Sequence, residues 1–154
     1  MIPKNIIEIL KEQEFLYVAT TDSHDLPNVA PKFLLKVQNQ FIYLIDYYIN
    51  KTWENLKASP HVSLGFVDRD TLTGYRLNGT VEIIDKGAEF DKIVQEVRKK
   101  EVSFTAERII EGVKKEKKYQ NFEVIYPEHF VIFKVAIEEI LEIIPSGQLK
   151  REKL

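Results

Sequence analysis

Ile6, Ile7 and Leu10 recur at helical spacing behind Pro3, a residue suited to a first helical turn, and predict a short amphipathic helix over residues 3–13. From Phe15 the pattern changes. Phe15–Thr21 is rich in β-branched and aromatic residues and reads as a strand, ending in the turn formers of residues 22–27. A second strand over 28–37 and a third over 41–47 flank the short break Gln38-Asn39-Gln40, which makes an antiparallel meander of the first three strands. The period then becomes helical over 53–58. Asn50 or Thr52 is placed to cap that helix, and Ser59-Pro60 ends it, because Pro60 disfavours helical geometry in the residue before it.

Strands resume over 62–67 and 74–84. Gly79 lies inside the latter, where a glycine marks a bulge or a close backbone approach. Residues 86–100 are helical by pattern, with Phe90, Ile93, Val94 and Val97 on one face, and a second helix is expected over 106–118. The last extended segment covers 128–144. Residues 146–154 form a polar, mainly basic tail, a candidate for disorder. Strands dominate and helices are inserted between them. The expected class is therefore α+β with a mainly antiparallel sheet, most simply closed as a barrel.

A chain of 154 residues with no repeat or Gly/Ser linker is expected to form one domain over 1–154. The absence of cysteine removes thiolate chemistry and disulfides and fits a reducing, cytoplasmic setting. A net charge of -2 argues against a dedicated nucleic-acid surface. The longest apolar runs, such as 130–133, are far too short to cross a bilayer, and the start lacks the pattern of a secretory leader.

The sequence carries neither a G-x-S-x-G elbow nor an H-E-x-x-H pair, and His24, His61 and His129 are scattered, so no catalytic residue and no metal site is assigned. Asn50-Lys51-Thr52 is the strongest local signal. A helix start carries free N–H groups and the positive end of the dipole, Lys51 adds a charge and Thr52 a hydroxyl, a set suited to a phosphate monoester. An ordinary capped helix with a solvated lysine explains the same residues. Lys32 and Lys36, four apart, share one face of a strand; alone they read as solvated charges, although Lys32 is able to reach a phosphate or a pyrimidine-type carbonyl. Arg76 and Asn78 share one face of the strand that begins at Gly74-Tyr75, which suits an interface, a ligand or plain exposure. Trp53 reads as a helix anchor before it reads as a cover for an aromatic ligand. The basic run 114–118, with Glu107 and Glu111 upstream, reads as a solvated helix face.

Taken in order, residues 15–22, Pro27, Leu34-Leu35-Lys36, 50–56, 59–64 and 79–84 resemble the pyridoxamine 5′-phosphate oxidase-like, FMN-binding split-barrel family. The resemblance implies a six-stranded split β-barrel that pairs with a second copy and holds FMN at the seam. It implies that Pro31, Lys32 and Phe33 line the isoalloxazine edge, that Ile45 and Asp46 border the ring and ribityl chain, and that Lys51 and Thr52 hold the phosphate beside a turn shaped by Asn50. Gly74 and Tyr75 would come from the partner chain. Lys32 is the implied positive group near the N1–O2 edge of the flavin. Two departures argue against a true pyridoxamine phosphate oxidase: Pro31 stands where an arginine is expected, and the C-terminal Arg-Leu-x-Pro element is missing. The expected activity is an FMN-dependent oxidation or reduction of a small molecule, with NADH or NADPH as a donor. The alternatives are a flavin or haem carrier without turnover and an F420-dependent enzyme on the same barrel. No nucleic acid or membrane is expected as a partner.

Overall fold

The computed structural model describes residues 1–114 and 125–154. Among them the order is α1 (Lys4–Lys11), β1 (Phe15–Thr21), β2 (Pro27–Gln38), β3 (Phe41–Asp46), α2 (Lys51–Ala58), β4 (His61–Asp68), β5 (Thr73–Ile84), α3 (Ala88–Lys114), β6 (Val131–Ile143) and β7 (Leu149–Lys153). The antiparallel sheet runs β3-β2-β1-β4-β5-β6-β7, and β3 also pairs with β6. That last pairing, with Ile42 opposite Val135 and Leu44 opposite Phe133, closes six strands into a barrel. Closure gives the long strands a partner on both sides, which is how a barrel removes exposed edges.

Alternation along the strands fills the interior. Leu16, Val18, Leu44, Leu64, Leu77 and Phe133 are buried in one cluster, and α1 adds Ile6 and Leu10 to it. Outside the barrel, α3 lays Ile93 and Val97 on Leu35, Tyr43, Ile45 and Ile132, forming a second cluster. At Gly79 the β5–β6 register shifts, and an added Cβ would meet the Ala136 carbonyl oxygen at 2.1 Å. The close approach expected of that glycine is therefore real.

Two expectations change. A single helix, α3, replaces the separate helices over 86–100 and 106–118. Residues 101–105 hold no glycine or proline to break it, and Glu101 and Phe104 extend its buried face; residues 115–118 lie outside the described residues. The tail is not disordered, because β7 pairs with β6 from Glu139 to Ile143 and sets Arg151 against Glu139 at 3.4 Å. Polarity alone conceals such a strand. Among the described residues, no helix is long and apolar enough to cross a membrane.

Candidate functional site

The site begins where two strands end at different places. β3 stops at Asp46, and its pairing with β2 ends at Phe33 opposite Ile45, but β2 continues back to Pro27 paired only with β1. Among the described residues, 27–32 thus lack a strand partner on the β3 side, and alternate backbone groups face an opening there. The chain leaves β3 through Tyr47 and Tyr48 and turns at Asn50 into α2. A cavity of about 350 Å³ results, lined by Pro31, Lys32, Phe33, Ile45, Asp46 and Asn50. Ala30, Phe15, Tyr47 and Tyr48 complete it, and sequence reasoning did not find them as site residues.

Lys32 and Asp46 form the polar centre of this otherwise apolar slot. The Lys32 ammonium donates to Asp46 Oδ1 at 2.6 Å, with side-chain exposures of 5% and 0%. The Tyr48 N–H donates to the same oxygen at 3.2 Å. Asp46 Oδ2 is buried and has no hydrogen-bond partner among the described residues. Burial pushes the Asp46 carboxyl above the ordinary range, while the Lys32 hydrogen bond and charge pull it down. Lys32 is therefore not the solvated charge that local sequence suggested.

Behind the cavity, Tyr47 turns its ring edge to Phe33 (5.8 Å) and packs on Phe130 (5.8 Å). Its hydroxyl donates to Glu101 of α3 at 2.7 Å, and burial, then Glu101, raises its pKa. That hydrogen bond ties the wall of the slot to α3, where Arg98 of the same helix holds Glu101 at 2.9 Å.

Next to Asn50, the first turn of α2 has no side-chain cap. Lys51 at that turn is about half exposed and donates to Asp22 Oδ2 at 3.1 Å. The backbone N–H groups of His24 and Leu26 donate to Asp22 Oδ1 at 2.8 and 3.0 Å. Those two donors first, and Lys51 after them, hold the Asp22 carboxyl at a pKa of about 2. Asp22 thus steadies Lys51 and competes for it. The sequence showed Asp22 only as a turn former.

Thr52 is fully buried and accepts from Asn28 Nδ2 at 3.1 Å, while Asn55 donates to Thr20 at 3.0 Å. In this chain the Thr52 oxygen docks α2 on β2, and Asn55 docks it on β1. Gly74 and Tyr75 lie away from the slot, along a wider groove of about 1160 Å³ that shares only Phe15 with it. There Tyr75 is buried and stacks on Phe66 at 4.9 Å.

The other residues singled out resolve into structure. Lys36 bridges to Glu96 of α3 at 2.8 Å instead of pointing freely to solvent. Asn78 joins Ser63 to Glu139 across the sheet. Trp53 packs against the interior cluster, with Lys57 3.4 Å over its ring.

Comparison with known proteins accords with this fold. The family model described as pyridoxamine 5′-phosphate oxidase matches residues 2–143. An uncharacterized protein of Methanocaldococcus jannaschii is 32% identical over 91 residues, 57% of this chain and 60% of the relative, so the match spans less than two thirds of that protein. Among solved structures, HupZ of Group A Streptococcus superposes with a TM-score of 0.64 at 22% identity, covering 94% of this chain and 96% of HupZ. A pyridoxamine 5′-phosphate oxidase-related, FMN-binding protein of Nostoc punctiforme gives 0.59 at 12% identity, with 97% and 95% covered. An F420 reductase gives 0.59 at 17%, with 90% and 98% covered. The family match over nearly all of the chain and the closed barrel agree: this chain belongs to the pyridoxamine 5′-phosphate oxidase family.

Proposed function

We propose that this protein binds FMN between two copies of itself and is an FMN-dependent oxidoreductase acting on a small molecule in the cytoplasm. One observation carries the reading: an apolar slot with a buried Lys32–Asp46 pair opens beside an uncapped helix start bearing Lys51. The residues fit the cofactor. A ring system needs apolar walls and a few fixed polar groups, which Phe33, Ile45 and the pair supply. A phosphate needs free N–H groups and a cation, which the first turn of α2 and Lys51 supply.

The bound flavin supplies hydride chemistry at its own N5, so the protein needs no acid–base set of its own. Pro31, Phe33 and Ile45 would hold the ring and exclude water. Lys32 would donate to a ring carbonyl, its charge already offset by Asp46. Lys51 would exchange part of its contact with Asp22 for the phosphate. Pairing with a second copy is supported by the outward face of β1, β2 and β4. There Tyr17 lies opposite Gly65 and Ala19 opposite Val29, which brings exposed Phe15, Tyr17, Val29 and Val67 onto one side. Phe15 borders both the slot and the groove of Gly74 and Tyr75, so these two residues from a partner would complete the site. The F420 reductase that shares the fold supports a second reading, with a deazaflavin in the same slot.

The absorbance of the purified protein separates these readings: a band at about 450 nm marks FMN, about 420 nm F420 and about 400 nm haem. Bleaching by NADH or NADPH and recovery with an acceptor shows an enzyme. A bound flavin that no donor reduces shows a carrier. A protein without colour that takes up none of the three cofactors contradicts the proposal.

A further inference from the structure

Buried carboxylate oxygens are nearly always hydrogen-bonded, because one left without a donor has lost its hydration and gained nothing in return. Asp46 breaks that rule on one side only. Its Oδ1 takes both available donors, the Lys32 ammonium at 2.6 Å and the Tyr48 N–H at 3.2 Å, while Oδ2 takes none among the described residues. The residue is fully buried and lines the cavity, where Phe33, Ile45 and Pro31 bring no side-chain donor and the donors of Tyr47, Tyr48 and Asn50 make no hydrogen bond to Oδ2. Lys32 has a complementary surplus, since an ammonium carries three donors and among the described residues it meets one acceptor, Asp46 Oδ1. One free acceptor and a cation with free donors therefore sit side by side in an apolar slot.

We propose that Asp46 and Lys32 together read the edge of a planar heterocycle in which a ring N–H stands next to a carbonyl. Oδ2 accepts from the N–H and Lys32 donates to the adjacent oxygen. A pyrimidinedione edge has this pattern and a porphyrin edge does not. Rings that present only acceptors leave Oδ2 without a donor and are rejected, as a site built for hydrogen bonding rejects an analogue that lacks the group. This deepens the flavin reading and rests on it, and it makes Asp46 a specificity-determining residue.

The test uses the ligand first and variants second. FMN and its N3-methyl derivative are titrated into the flavin-free protein and followed by flavin fluorescence, which reads binding without turnover. The expected result is a loss of roughly 10- to 100-fold in affinity on methylation. The methyl group also adds bulk, so the comparison is repeated in Lys32→Met/Asp46→Leu, an apolar pair of similar volume that keeps the barrel folded. There the two ligands should bind within about twofold of each other. Equal affinities in the unaltered protein, or full discrimination in the double variant, overturn the assignment while the flavin site stands. Failure of FMN itself to bind overturns the flavin reading and the assignment with it.

Discussion

Lys32 and Lys51 flank the proposed flavin site, and each is paired with an aspartate, yet the surroundings of the two pairs differ. Lys32 and Asp46 are both buried at the mouth of the barrel, whereas Lys51 is about half exposed and Asp22 sits in a surface turn. A pair taken out of water depends on its partner for its own solvation, so losing one member strands the other. A pair at the surface contributes little to the fold, because water and salt replace either partner. The first pair is therefore part of the architecture that fixes the slot. The second is a contact that an incoming anion can rearrange.

The largest expected effect lies on the buried side. Lys32→Ala should lower folding stability by about 3–5 kcal/mol, read by chemical denaturation. Lys32→Met/Asp46→Leu should recover that loss or exceed it. If Lys32→Ala costs no more than a surface change, the pair is solvated and the contrast fails.

Lys51→Ala should do the reverse. Its effect on stability should stay within about 0.5 kcal/mol, while FMN affinity should fall about tenfold by fluorescence titration. Salt sharpens the point. Raising ionic strength from about 0.05 to about 0.5 M should weaken FMN binding several-fold in the unaltered protein and much less in Lys51→Ala, because an exposed cation is screened and a buried one is not.

The smallest effect is the titration of Asp22. Its folded pKa is about 2, below its unfolded value, so its stabilisation is complete above about pH 4 and is lost as pH falls through 2. Carboxyl carbon shifts should give a midpoint near 2. In Lys51→Ala the midpoint should rise yet remain below the ordinary value, because the His24 and Leu26 N–H groups remain. A midpoint unmoved by Lys51→Ala would remove Lys51 from the turn.

Strands such as β1 and β4 were legible because each buries one face and alternation records that in the sequence, while β3, buried on both faces, showed as a continuous apolar run. The continuity of α3 was not, since its buried positions, Ile93, Val97, Glu101 and Phe104, include a charged residue that counts as polar by pattern and as wall-facing in space. β7 escaped because its support comes from pairing with Glu139–Ile143 and not from its own apolar content. At the site, the order of motifs pointed to Pro31, Lys32, Phe33, Ile45, Asp46 and Asn50, and the fold brings those six to one cavity. The chemistry within it was hidden. Lys32 meets Asp46 across 14 positions of sequence, and Lys51 meets Asp22 across 29, distances at which no local pattern operates.

The central claim is that a phosphorylated flavin is held at both ends, its ring in the slot and its phosphate at the start of α2. Parallel titrations with FMN and with riboflavin, in the unaltered protein and in Lys51→Ala, test it most directly. The account predicts that FMN binds at least about tenfold tighter than riboflavin and that Lys51→Ala closes most of that gap. Equal binding of the two flavins, or a gap that persists in full without Lys51, would contradict it.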